Sequence, residues 1–169
     1  MIFTIGTSNR SLPEFLCELR KRRITQIVDV RSSPYSRLAH FNAGQIARWS
    51  EAAGIHYRQE GVMLGGRSEI AHDDTDYLAA LDRLISAARR EPLAIFCAEG
   101  DPAACHRSYA VGASLLAHRG VAVTNISRDG STETILATLK RTPVGRLPLS
   151  ARALLQDLSD NDADAPRLF

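Results

Sequence analysis

Apolar residues recur along the chain with two periods that take turns. IFTIG (Ile2–Gly6) is a β-rich run. In the SLPEFLCELRKRR that follows, Leu12, Phe15, Leu16 and Leu19 fall on one helical face. Ser11 and Glu14 have capping-box spacing and Pro13 lies in the first turn, so a strand feeding a helix is expected. QIVDVR (26–31) reads as a second strand, AGQIARWSEAAG as a helix stopped by Gly54, and IHYRQE as a third strand. LGGRSE reads as a flexible joint whose glycines suit positive φ. From Asp76 to Arg90, Tyr77, Leu78, Leu81, Leu84, Ile85 and Ala88 form one stripe, which predicts an amphipathic helix.

LAIFCA is a continuous apolar run of the kind found in strands covered on both faces. Asp101 followed by Pro102 then has the pattern of an N-cap and first helical position, LLAHRG ends in basic residues and a glycine stop, and VAVTNIS supplies the last expected strand. Strands alternating with helices predict an α/β domain with a mainly parallel sheet, since right-handed crossovers are the economical connection. The domain is placed at residues 1–127. From Arg128 the alternation weakens. TETILATLKR and ARALLQDL predict short helices packed on the body, so residues 128–169 are read as a partly helical C-terminal extension, mobile at its acidic end.

Composition narrows the function classes. The 169 residues, 44% hydrophobic and 24% charged, suit a folded domain rather than a disordered chain. A formal charge of +2, from 21 basic and 19 acidic residues, argues against a dedicated polyanion binder. The acids gather in DLSDNDADAP, however, which leaves the body more basic than the total. The longest apolar runs are far below the ~18–20 residues that cross a bilayer, so no membrane partner is expected. Three cysteines and no charged-then-apolar leader predict free thiols in the cytoplasm. Oligomeric state is not legible.

In an open parallel sheet, ligands bind beyond the carboxyl ends of the strands, and the chemistry-bearing residues of this chain follow strands. Ser8, Asn9 and Arg10 come after the first strand. Asp29 and Arg31 end the second, with Arg37 behind them, and Cys97, Glu99, Cys105, His106 and Arg107 come after LAIFC. The period of two puts Asp29 and Arg31 on one face, where they form either a structural ion pair or part of a site. Cys97, at a strand exit before a helix start, is a candidate thiolate nucleophile, its alternative being small apolar filler. Cys17, mid-helix among apolar neighbours, reads as filler.

His106 and Arg107 at a helix start oppose the helix dipole unless an anion compensates them, which favours a phosphate or carboxylate there, with Arg107 as a two-pronged clamp. Arg67 beside glycines is either a solvated residue or one that closes over an anion. Cys97, Cys105 and His106 are the set that would bind a metal. They lack a C-x-x-C pair and number three where a structural zinc needs four, so no metal is expected. Tyr35, Phe41, Trp49 and Tyr57 are too scattered to form a base-stacking platform.

TIGTSNRSLPEFL, VDVRSSPYSR, HFN, LGGR and CAEGDPAACHR, in that order across roughly residues 1 to 127, resemble domain-of-unknown-function family 488. The resemblance implies a cytoplasmic, Rossmann-like three-layer α/β protein with substrates that involve nucleotides or nucleic acid. It also implies that Ser8, Arg10, Asp29, Arg31, Arg37, Arg67, Cys97, Glu99, Cys105, His106 and Arg107 share one site. Thr7 stands where the family usually has a histidine after the first strand. A weaker likeness is to rhodanese and cysteine-phosphatase domains, through D-V-R on a strand and a cysteine loop ending in arginine. Nine residues separate Cys97 from Arg107, against about five in those loops.

The expected function is an enzyme acting on a phosphate-bearing substrate: a nucleotide, a nucleic-acid end or a related small molecule. Arg10, Arg31, Arg37 and Arg107 would hold the anion, Asp29 or Glu99 would act as general acid or base, and Cys97 would be the nucleophile. Two alternatives stay open. One is a binding or accessory module that recognises a nucleotide or nucleic acid without turnover. The other is thiol redox or metal chemistry at Cys97, Cys105 and His106.

Overall fold

The computed structural model describes residues 1–163. Its first half runs β1 (Ile2–Gly6), α1 (Leu12–Lys21), β2 (Gln26–Asp29), α2 (Ala43–Ala52), β3 (His56–Gln59), a single turn α3 (Gly61–Leu64), α4 (Thr75–Arg90) and β4 (Leu93–Cys97). A π-helical turn over Arg107–Gly112 then runs directly into α5 (Ala113–Arg119). β5 (Thr124–Ile126), β6 (Thr132–Thr134), α6 (Ile135–Arg141) and α7 (Leu149–Ala163) complete the chain.

The six strands form one sheet in the order β3-β2-β4-β1-β5-β6. It is parallel throughout except for β6, which runs antiparallel to β5. The protein is therefore α/β, with helices on both faces of a mostly parallel sheet.

The alternation of side chains along each strand feeds two cores. Phe3, Ile5, Ile27 and Phe96 face α1 and α2, where Phe15, Leu19 and Ile46 are fully buried. Ile2, Val28, Ile95 and Cys97 face the other way, against Leu81 and Leu84 of α4 and Val111 and Leu115 around α5. Each such large side chain contributes about 1.5–3 kcal/mol by leaving water. The Ser11–Glu14 capping box is present in full: the Ser11 side chain accepts from the Glu14 amide and the Glu14 carboxylate accepts from the Ser11 amide. Gly54 (φ +67°) and Gly120 (φ +63°) follow α2 and α5 in the left-handed region, as their stop positions demand.

The path of the chain positions everything that follows. From β1 it moves over one face through α1 to β2 and α2 to β3, then returns over the opposite face through α4 to β4 and α5 to β5. β1 and β4 are hydrogen-bonded neighbours whose outgoing connections diverge to opposite faces. Their ends are the topological switch point of the sheet.

Three local expectations are corrected. The strand in VAVTNIS is not the last, because residues 132–134 add β6, and Ile135, Leu139, Leu147 and Ala151 beyond it are buried in the core. A three-residue edge strand carries too little pattern to show in sequence. Gly65 has φ −75° and Gly66 is not among the positive-φ glycines, so LGGR is not a left-handed joint. Its glycines are required by space: a Cβ on Gly65 would lie 2.1 Å from the Gly61 carbonyl oxygen, and one on Gly66 2.8 Å from His106 Nδ1. Cys17 is exposed rather than packed. The acidic end expected to be mobile falls partly at 164–169, outside the described residues.

Candidate functional site

A cleft of about 610 Å³ opens at the switch point. It is lined by Thr7, Ser8 and Asn9 after β1, by Tyr35, Ser36, Arg37 and Leu38 after β2, and by Ala98, Glu99 and Gly100 after β4. The first and third of these loops are stitched together at its floor, where Thr7 N donates to Cys97 O (2.8 Å) and Ser8 N donates to Ala98 O (2.6 Å). This approach is possible only because residue 6 is glycine. A Cβ there would sit 1.8 Å from the Glu99 carbonyl oxygen. Ser8 holds φ +48°, a left-handed conformation that a non-glycine residue adopts at a cost of about 1–3 kcal/mol and that concentrates at functional positions.

Behind the loops lie two guanidinium groups removed from water, Arg10 at 1% exposure and Arg107 at 0%. Arg10 donates to the carbonyls of Gly6 and Ser127. Arg107 donates to Glu99 O (2.5 Å), Gly100 O (3.3 Å) and Thr4 Oγ1 (3.3 Å). Thr4 in turn donates to Asn125 Oδ1 (2.6 Å), and Asn125 donates to Thr138 Oγ1 (2.6 Å), so Arg107 is anchored through a buried polar chain. Neither arginine makes an ion pair among the described residues. Burial and the neighbouring Arg128 lower the Arg10 pKa from its ordinary value. The clamp expected of Arg107 exists, but it grips the backbone of the cleft loop.

Asp29 and Arg31 meet as their spacing predicts. Arg31 Nε donates to Asp29 Oδ1 (2.8 Å) and Nη2 donates to Oδ2 (2.6 Å). The Arg31 amide and the Tyr57 hydroxyl fill the remaining acceptor sites at 3.0 Å each. Arg31 Nη1 donates to Phe41 O (2.9 Å), and its guanidinium lies 5.1 Å from the centre of the Phe96 ring. Burial and the Asp29 carboxylate push the Tyr57 hydroxyl well above the usual tyrosine range. The structure resolves the two readings of this pair in favour of the ion pair. It is buried and saturated, and it does not line the cleft.

On the opposite face, Cys97, Cys105 and His106 form a second cluster whose sulfur and nitrogen atoms all lie within 4.8 Å of one another. Cys97 is 6% exposed and Cys105 1%. Cys97 Sγ is 3.7 Å from His106 Nδ1, and His106 Nε2 is 2.8 Å from Val30 O. A carbonyl can only accept, so Nε2 carries a proton, and Nδ1 is the ring nitrogen turned toward the thiols. The hydrogen bond with Cys105, followed by burial, raises the Cys97 pKa. The same bond, aided by His106 and Arg107, lowers that of Cys105.

The single convergent rim expected from sequence is therefore divided. Ser8, Asn9, Arg37 and Glu99 meet at the cleft. Asp29 pairs in register with Phe96 and shares its face, while Cys97, one residue on, turns to the other. Cys97 belongs to the buried apolar cluster of that other face, with its sulfur beside His106 and Cys105, so it does not face the cleft as a nucleophile there would. The side chain of Arg67 is exposed on the LGGR loop away from the cleft lining, and its amide donates to Ser32 Oγ (3.0 Å). The loop residues Tyr35 and Ser36, behind the second strand, line the cleft with Arg37 as their place in the sequence suggests, whereas sequence reasoning missed Leu38. It also missed Arg128, whose Nε donates to Asn9 Oδ1 at 2.7 Å from beyond the expected domain end. Thr4 and Asn125, polar residues within apolar strands, are the sequence signals for the buried polar chain.

No helix among the described residues is long and apolar enough to cross a membrane. No curated protein matches the chain. Residues 11–113, more than half of its length, match the family described as Domain of unknown function DUF488, and the chain belongs to that family.

Proposed function

We propose that the protein is an enzyme acting on a phosphate-bearing substrate, a nucleotide, nucleic-acid end or related small molecule, held in the cleft at the ends of β1, β2 and β4. One observation carries the reading: the cleft lies at the switch point of a parallel sheet, with two buried guanidinium groups behind its floor that make no direct ion pair among the described residues. Positive charge held beneath a concave surface by backbone carbonyls rather than by a paired carboxylate attracts an anion. Arg37, exposed at the mouth, supplies a fork for phosphate oxygens, and the Ser8 hydroxyl supplies a donor on a strained turn.

Exposed Tyr35 offers a face for a base or sugar. Glu99, the one carboxylate in the lining, takes the part of general acid or base, since its loop is held by Arg107 while its side chain is open to the cleft. Asp29 and Arg31 act as positioning residues, through Phe41 O at the end of the loop that carries Arg37.

The test is turnover of a panel of nucleotides, phosphomonoesters and nucleic-acid ends. Glu99→Gln is expected to lower kcat by roughly 10²–10⁴-fold with little change in KM, and Arg37→Ala to raise KM. Saturable binding without turnover across the panel would make the cleft a recognition module. Neither binding nor turnover would refute the proposal.

A further inference from the structure

The thiol cluster on the other face of the sheet is separate from the cleft, and its geometry answers the objection that three donors without a C-x-x-C pair do not make a metal site. We infer that Cys97, Cys105 and His106 form a binding site for a zinc-class divalent ion, with two thiolates, one imidazole and one position left open. Two thiolates and an imidazole are an established zinc donor set when the fourth ligand is water or substrate.

Three features carry the inference. The first is convergence: donors from the end of β4 and from the two residues just before the π-helical turn reach within 4.8 Å of one another. The 3.7 Å between Cys97 Sγ and His106 Nδ1 is close to the ~3.6 Å expected across a tetrahedral ion from ordinary zinc–sulfur and zinc–nitrogen bond lengths.

The second is the orientation of the imidazole. Metal-ligating histidines almost always donate their other ring N–H to a carbonyl or carboxylate, which fixes the tautomer and aims the free nitrogen. Val30 O receives that bond at 2.8 Å. The ring is thus pre-set as a ligand by a backbone atom of the strand-end segment after β2.

The third is space on the side of His106. A cavity of about 190 Å³, lined by Gly65, Gly66, His72, Tyr77 and His106 among others, reaches the ring. Gly66 keeps Nδ1 clear, because any Cβ there would stand 2.8 Å from that nitrogen and 2.9 Å from Cγ. A fourth ligand enters from this cavity. Ion uptake releases the protons held by the two thiols, at most two per site, and forms two metal–sulfur bonds and one metal–nitrogen bond with no change of oxidation state.

The experiment titrates the reduced full-length protein with Co²⁺ alone and then displaces it with Zn²⁺. The expected result is one equivalent bound, with an intense thiolate-to-cobalt charge-transfer band and tetrahedral d–d bands that Zn²⁺ abolishes. Cys97→Ser and Cys105→Ser should each diminish the charge-transfer band. Gly66→Ala removes no ligand and lies on an exposed loop. It should weaken binding by about 10–100-fold, the usual result of disturbing a ligand's support, while circular dichroism stays unchanged. Absence of stoichiometric uptake, uptake that the cysteine variants leave intact, or a Cys97–Cys105 disulfide that forms in air and survives excess Zn²⁺ would each overturn the site. Activity at the cleft plays no part in this readout, so the two proposals stand or fall independently.

Discussion

Replacing Asp29 with asparagine removes the charge that faces Arg31 while keeping the shape of the side chain. Arg31 would be left with its guanidinium beneath the surface, its Nε and Nη2 donors facing a neutral amide, and only Phe41 O still accepting at full strength. Its side chain is 4% exposed and that of Asp29 0%, so water cannot replace the lost carboxylate. Breaking a buried pair from one side costs about 3–5 kcal/mol. For a chain of this size, at about 2–4 °C per kcal/mol, that lowers Tm by roughly 6–20 °C.

The double variant Asp29→Leu with Arg31→Met removes both charges and should lose less than the two single variants added together. It still strands Phe41 O and the Tyr57 hydroxyl, at about 1–3 kcal/mol for each buried group. Urea unfolding of the native protein, Asp29→Leu, Arg31→Met and the double variant, with m-values checked for constancy, closes the cycle, and Asp29→Asn is measured beside them. A loss below about 1 kcal/mol in Asp29→Asn, or additivity between the two sites, would show that the pair is screened as a surface pair is and would refute the reasoning.

Other perturbations probe different parts of the account. Gly6→Ala drives a methyl group into the Glu99 carbonyl and should cost about 1–3 kcal/mol or more, with loss of ligand-induced thermal stabilisation at the cleft; an unchanged Tm would contradict the close approach of the two loops. Arg107→Met strips the donors from Glu99 O and Gly100 O, so amide exchange over residues 98–104 should rise well before global unfolding does. Burial alone would raise the pKa of Glu18, but the hydrogen bonds from Lys21 and Arg22 outweigh it and hold the group below its ordinary 4.5. Its stabilising contribution is therefore complete above that value and is lost as the pH falls through the lower folded pKa. Glu18→Gln should flatten the acid side of the Tm profile, below that ordinary value.

What the sequence made legible is what local physics controls. The capping box at Ser11 and Glu14, the stops at Gly54 and Gly120, and the same-face placement of Asp29 and Arg31 depend on spacings of two to four residues or on single left-handed positions. The rest depends on partners distant in the chain. Alternation says that residues 27, 29 and 31 share a face, and that 93, 95 and 97 share one, but only the pairing of Asp29 with Phe96 reveals that these faces are opposite. Arg10 and Arg107 look like anion ligands in sequence. Their carbonyl partners, Gly6, Ser127, Glu99 and Gly100, are fixed by loop paths that no periodicity encodes. The glycines of LGGR likewise suggest backbone freedom when read alone, whereas His106 and Gly61 show that they answer a lack of room.

The central claim is that an anion seats among the three loops at the sheet's switch point. Its most direct test is a heteronuclear NMR titration of the full chain with inorganic phosphate and then a nucleoside monophosphate. Saturable amide shifts confined to residues 7–9, 35–38 and 98–100 are expected, as is their loss in Arg37→Ala. Shifts that cluster elsewhere, or none at those loops up to saturation of the titrant, would contradict it.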